Sequence, residues 1–388
     1  MRSTALAAGY GFVAGVVAAL VLWLMGLVSA VVWSGPDASW YIFVMIMLGG
    51  VCIAVLRHWH EGESLSEQIE DIRNPSAPKH RDTVLLAAMA IIAVGFGGAV
   101  GPEAGILAVV AEMSAFVTLL IARNQEDSRM ISEVGAVAAL SGIYGSPPGA
   151  AMMTETKPEA PKWQLFLAAL AGLLGFMLVA SRFLPDGAIR IHLPVYQAAR
   201  DGTDMLRALL PAGLGTAVGL AFVMIHTPMR ALLARCGPVA VQTLIGTALF
   251  AALAAIFPIL RFSGHHELEA MLEWGAGAGM GLLITLALLK MLALSVCLAA
   301  GWRGGAAFPL IFAGAAAGGA ALWVMPDIPI TVALVPGMAA ALTAGMGQPI
   351  AAMLIALLLI GPAAMGPLLV GILIGWGGSK LVTKPVLH

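Results

Sequence analysis

Two glycine-rich stretches carry the residues best suited to chemistry. Residues 95–105 read GFGGAVGPEAG and residues 301–314 read GWRGGAAFPLIFAG. In each, flexible backbone gives way, around a proline, to an apolar run of helical character, which is the pattern of a helix N-terminus. A helix that begins inside an apolar medium points its unpaired N–H groups and the positive end of its dipole at whatever lies ahead. Two such ends meeting at mid-depth would hold an anion between Gly101, Pro102, Glu103 and Ala104 on one side and Gly305, Ala306, Ala307 and Phe308 on the other. Partial charges suit a transported ion, which must shed its water and still leave again; full positive charges would trap it. Glycines also let helices pack closely, and duplication of the whole pattern is what favours the anion site over simple packing.

Glu103 is the sharpest single residue. A carboxylate one step into an apolar helix costs about 2.5–3.5 kcal/mol if it faces lipid, so it is expected to face a pathway. As a carboxylate it can occupy the anion's place; protonated, it swings away and admits the ion, so Glu103 reads as a gate. The plainer alternative is an N-terminal acid favoured by the dipole. Glu112, nine residues on, fits a structural hydrogen bond or a proton path equally well, and Glu155 fits a solvated helix end or a proton relay. Lys290, inside TLALLKMLAL, is expected to pair with a carboxylate or a helix C-terminus, or to snorkel. His265, His266, Glu267 and Glu273 invite a metal-dependent reading, but adjacent histidines do not share a helix face and no HExxH occurs, so no metal site is expected. Cys52, Cys236 and Cys297 sit singly in apolar runs and read as buried, inert thiols. The methionine pairs read as packing filler.

The elements that must position these residues are membrane-spanning. Of 388 residues, 60% are apolar and 11% charged, with mean hydropathy +0.95; soluble domains run at about 45–50% and about 25%. Apolar runs fall at 5–33, 41–56, 83–100, 104–122, 134–153, 164–184, 207–225, 239–260, 276–300, 306–325, 330–346, 349–361 and 363–376. Several are shorter than the roughly 20 residues of a full span, which points to broken or re-entrant helices with protein-buried ends. The first run exceeds a secretory leader's apolar core and reads as an uncleaved helix. A net charge of −1 gives no basic surface for nucleic acid, and no phosphate-binding GxxxxGK[ST] occurs. Residues 57–82 and 123–133 read as polar loops, and their arginines and lysine favour the cytoplasmic side.

The chain repeats itself. Residues 62–72 pair with 264–273, Pro102 with Pro309, and 141–153 with 343–354, at offsets of 202, 207 and 202 residues. Three pairs in one order make a two-fold repeat, with halves 1–190 and 191–388, a polar seam near 185–206 and no soluble regulatory domain. Membrane proteins of this kind place the substrate site between the repeats.

In their order and wording these motifs resemble the CLC chloride channels and chloride/proton exchangers across nearly the whole chain. Gly101-Pro102-Glu103-Ala104 is similar to the family's G-[KR]-E-G-P segment, with Glu103 at the gating position. Gly304-Gly305-Ala306-Ala307-Phe308-Pro309 with Gly314 is similar to GG-x-F-x-P-x(4)-G, and Lys290 fits the lysine ahead of it. Gly264-His265-His266-Glu267-Leu268 resembles the GGGHEL loop, and Ser146-Pro147-Pro148-Gly149 the N-A-P-L-A segment. The chain also departs from the pattern. Ser64 or Ser66 would supply the inner anion-coordinating hydroxyl, Ala307 stands where the family has Phe, the late anion-capping tyrosine has no counterpart, and the place of the inner proton-accepting glutamate falls close to Thr156 or Lys157, with Glu155 a residue or two off. The resemblance implies an all-α integral membrane protein of two inverted repeats. It implies a homodimer in the lipid of an inner (plasma) membrane, passing chloride or a similar small inorganic anion with no cofactor. It is not expected to be an enzyme. The departures favour passive or weakly proton-coupled conduction; a chloride/proton antiporter, or a secondary transporter of another small anion using Arg303, stays open.

Overall fold

The computed structural model describes residues 2–59, 80–122, 125–153, 160–184, 193–194, 196–199, 201–264, 267–268, 270–271, 277, 279–360 and 364–381. Apolar side chains crowd every long segment, so backbone hydrogen bonds must close within helices. The helices are α1 (Arg2–Val32), α2 (Ser39–Trp59), α3 (His80–Gly95), α4 (Glu103–Ile121), α5 (Gln125–Tyr144), α6 (Pro147–Met153) and α7 (Lys162–Phe183). After the short α8 (Thr203–Arg207) come α9 (Leu209–Ala234), α10 (Val239–Ile256), a 3-10 turn at Pro258–Leu260, and α11 (Met280–Ala299). α12 (Ala307–Ala320), a second 3-10 turn at Ala321–Trp323, α13 (Ile330–Met346), α14 (Pro349–Ile360) and α15 (Met365–Ser379) complete the described chain.

Among the described residues six segments are long and apolar enough to cross a membrane: Thr4–Val32, Ser39–His58, Lys162–Phe183, Thr203–Ala234, Val239–Ile256 and Met280–Ala299. Others fall short. α12 has 14 residues and α13 has 17, about 21 and 25 Å at 1.5 Å per residue against a hydrocarbon core of about 30 Å. Both are sheathed in protein: every residue of α12, and every residue of α13 after Ile330, is buried. Outward-facing Leu120, Leu174, Met224 and Leu373 present an apolar exterior.

Packing follows one order twice. α1 lies against α3, α4, α5 and α7, and α9 lies against α11, α12, α13 and α15. α3 meets α4, α4 meets α5 and α5 meets α7, as α11 meets α12, α12 meets α13 and α13 meets α15; between these two sets, α2 packs on α10 and α6 on α14. Small residues set the closest approaches. A Cβ on Gly15 would overlap the Gly172 backbone, and one on Gly215 would overlap that of Gly337. Gly11-xxx-Gly15 and Gly215-xxx-Gly219 stand 204 residues apart on α1 and α9. Many glycines are therefore packing glycines, apart from those of the two loops. Gly15→Leu and Gly215→Leu each force touching backbones apart. Overpacking of this kind costs about 1–3 kcal/mol, and we expect a lower melting temperature in detergent for both.

Two expectations are corrected. Residues 125–133 are not a polar loop: α5 begins at Gln125, and its charged first turns are the polar end of a helix whose remainder is mostly buried. Of the three cysteines, Cys297 is buried, Cys236 intermediate and Cys52 exposed. An apolar neighbourhood in sequence does not imply burial where the exterior itself is apolar.

Candidate functional site

Each glycine-rich loop begins with the same helix ending. α3 closes with Gly97 N–H donating to Val94 O (3.1 Å) and Gly98 N–H to Ala93 O (2.8 Å). α11 closes with Gly301 N–H donating to Leu298 O (3.1 Å) and Trp302 N–H to Cys297 O (2.9 Å). Both turns need a left-handed residue, with φ of 79° at Gly97 and 87° at Gly301, which glycine adopts without steric cost. Four residues beyond each turn the loops meet. Gly101 N–H donates to Gly305 O (2.8 Å) and Gly305 N–H to Gly101 O (3.0 Å), an antiparallel bridge.

That bridge sets the N-termini of α4 and α12 side by side. The first intrahelical bonds come from Ile106 N–H to Pro102 O (3.3 Å) and Leu310 N–H to Ala306 O (3.0 Å), so the amides ahead of them have no acceptor in their own helices. The register differs by three residues from the sequence expectation. Gly101 is equivalent to Gly305, so Pro102 stands opposite Ala306, and Pro309 is the third residue of α12. The hinge glycines fix the equivalence, and the prolines obey it only loosely.

Glu103, the first residue of α4, is 4% exposed. Its carboxylate lies directly over the paired glycines: a Cβ built on either Gly101 or Gly305 would overlap it. Oε1 accepts a hydrogen bond from the Tyr144 hydroxyl at 3.1 Å. Oε2 is buried and has no hydrogen-bond partner among the described residues. The Tyr144 ring packs on Phe308, centroids 5.6 Å apart. A carboxyl group thus sits at two positive helix ends with a single side-chain donor among the described residues, in the place that a bound anion would take.

Gly101, Pro102, Glu103, Gly305, Ala306, Ala307 and Phe308 are gathered here and buried. The backbone of Ala104 enters α4 beside them. Glu112 lies farther along α4, half-buried and engaged by other protein groups. Ser64, Ser66, Glu155, His265, His266 and Glu273 lie outside the described residues. Among the described residues no cluster of His, Cys, Asp or Glu could hold a metal ion. Arg303 is half-buried and already has a protein partner.

Sequence reasoning missed Tyr144. It ends α5 ahead of Gly145 (φ 62°) and the Ser146-Pro147 start of α6, and α13 ends likewise at Met346 ahead of Gly347 (φ 70°) and Pro349. The Ser146 hydroxyl receives the Gly149 N–H (3.1 Å) and donates to Leu354 O (3.1 Å), tying α6 to α14.

Charged groups brace the loops from behind. The Lys290 ammonium, fully buried, donates to Leu260 O (3.2 Å), Arg261 O (3.2 Å) and Phe262 O (2.9 Å). Phe262 N–H in turn donates to Gly97 O (3.0 Å). Arg261 stacks 4.4 Å above the Trp33 ring, beside Gly97. Arg57 lies over Gly301, donating to Ala300 O and Thr243 Oγ1, both at 2.8 Å. Each hinge glycine therefore carries an arginine from beyond the other loop. Lys290 pairs with carbonyls at the end of a 3-10 turn. Lys290→Met would take the donor from three buried or partly buried carbonyls, at about 1–3 kcal/mol for each left unpaired, and we expect a large loss of thermal stability in detergent that chloride does not restore.

The chain resembles a bacterial protein provisionally named for ion transport, YfeO of Salmonella choleraesuis (strain SC-B67), at 27% identity over 292 residues, 73% of this chain and 69% of the relative. The crystal structure of a slow cyanobacterial Cl−/H+ antiporter matches with TM-score 0.80 at 16% identity, covering 99% of this chain and 96% of that one. A CLC-type fluoride/proton antiporter matches with TM-score 0.78 at 16% identity, covering 98% and 95%. Residues 45–379 match the family model described as voltage gated chloride channel. The protein therefore belongs to the CLC family of ion channels and transporters, a multi-pass, all-helical membrane fold with an anion as its substrate.

Proposed function

We propose that this protein passes chloride, or a similarly small inorganic anion, through a seat framed by the N-termini of α4 and α12 and gated by Glu103. The observation that carries this reading is the reciprocal Gly101–Gly305 pairing, which aims two helix ends at one buried carboxylate. Glu103 then acts as a tethered substitute for the anion: ionised, it fills the seat; protonated, it loses its attraction to the helix dipoles and yields the place. Among the described residues Tyr144 is the one side-chain donor to it. Gly101, Gly305, Ala306 and Ala307 contribute backbone rather than side chains, so the Ala at the family's Phe position does not remove a ligand. In our reading residues 1–190 and 191–388 are inverted repeats, and the protein works as a homodimer in an inner (plasma) membrane, with Ser64 or Ser66 at the inner end of the path.

Conduction is passive or only weakly proton-coupled in this reading, because Glu112 and Glu155 are poor fits to a second proton site. The opposite reading, stoichiometric exchange, is favoured by the two solved structures compared above, each of a proton antiporter. Purified protein in liposomes with a chloride gradient separates them. A gradient that moves chloride but drives no protons supports passive conduction, and proton uphill movement in fixed ratio to chloride establishes exchange.

A further inference from the structure

We infer that the Tyr144 hydroxyl is a donor used by turns, holding the Glu103 carboxylate while the seat is closed and turning to the transported anion when the carboxylate leaves. The inference rests on reading Glu103 as the gate. Tyr144 is 3% exposed, and its hydroxyl reaches Glu103 Oε1 across 41 residues of sequence. Its ring is fixed against Phe308, the second residue of α12. The donor therefore belongs to the wall of the seat and stays in place when the Glu103 side chain moves. A buried phenol left without an acceptor is unfavourable, so an ion entering the vacated position receives this hydrogen bond. A neutral hydroxyl adds selectivity for an anion without the full charge that would trap it. Tyr144 is in this sense a positioning residue for the gate and a ligand for the ion.

The sign of the pH effect comes from the bond. Among the described residues Tyr144 is the titratable side chain facing Glu103; the Gly101 and Gly305 loops offer backbone, and Phe308 offers a ring. A hydrogen bond donated to a carboxylate favours its charged, closed form. Removing the donor lets Glu103 take up a proton, and open, at higher pH.

The test is chloride efflux from proteoliposomes, measured against pH and against chloride concentration, for the native protein, Tyr144→Phe, Glu103→Gln and the double variant. Tyr144→Phe keeps the ring on Phe308 and so preserves the packing. We expect its flux–pH midpoint to move upward by about one to two units, the effect of losing one hydrogen bond to a charged group. We expect the double variant to need roughly tenfold more chloride for half-saturation than Glu103→Gln alone. A flattened pH profile in Glu103→Gln, with Tyr144→Phe at the native midpoint or the double variant saturating like Glu103→Gln, overturns the Tyr144 inference and leaves the gate intact. A native pH profile in Glu103→Gln overturns the gate and the inference with it.

Discussion

Glu103→Gln is expected to open the protein and to remove its pH dependence. The amide has nearly the shape of the carboxylate but carries no charge, so neither helix end attracts it and no proton need be gained for it to leave. Each helix terminus contributes about 0.3–1 kcal/mol to holding a charge, more when partly buried. Losing two such terms raises the open fraction by a factor on the order of ten. Chloride efflux at neutral pH should rise by about that factor and become flat from acid to neutral conditions. Any proton movement coupled to chloride should vanish. Flux that keeps both its native size and its native pH profile would mean that Glu103 is only an acid at a helix N-terminus.

Gly305→Ala is expected to do the reverse. Its Cβ would enter the space of the Glu103 carboxylate, the same space that the ion must use. Overpacking costs about 1–3 kcal/mol, here imposed on the bound ion, so flux should fall by roughly tenfold or more. The fall should persist in the Glu103→Gln background, because the obstruction lies in the seat and not in the gate. Gly101→Ala should behave alike, its Cβ meeting the same carboxylate. Gly215→Ala is the informative control: it crowds the Gly337 backbone at the α9–α13 crossing and should lower thermal stability in preference to flux. Full conduction by the Gly305→Ala, Glu103→Gln double variant would place the ion path elsewhere.

The parts of the site legible in the sequence are those carried by backbone and local spacing. Glycines ahead of a helix start, a lone carboxylate one step inside it, and the duplication of the whole are local patterns, and the structure brings Gly101, Glu103 and Gly305 together as they suggest. Tyr144 was illegible because its meaning depends on a partner 41 residues away across a helix pair. Its own motif, SGIYGSPPG, is dominated by the glycine, serine and prolines on its C-terminal side. The three-residue error in pairing Pro102 with Pro309 has a similar origin. Proline marks a helix start conspicuously, whereas the equivalence is set by left-handed turns at Gly97 and Gly301, which are conformations and not residue types. Composition located most helices but misjudged residues 125–133, where charge at the end of a buried helix looks like a loop. It also misjudged Cys52, where an apolar surface looks like a core. Lys290 was legible as a cation that must pair or snorkel, though not the three carbonyls that hold it.

The most direct test of the account is the position of a halide. Crystals of Glu103→Gln grown or soaked in bromide should give an anomalous difference peak between the Gly101 and Gly305 loops, within hydrogen-bonding distance of the first-turn amides of α4 and α12 and of the Tyr144 hydroxyl. Bromide bound reproducibly elsewhere in the molecule, with the space over Gly101 and Gly305 empty, would contradict it.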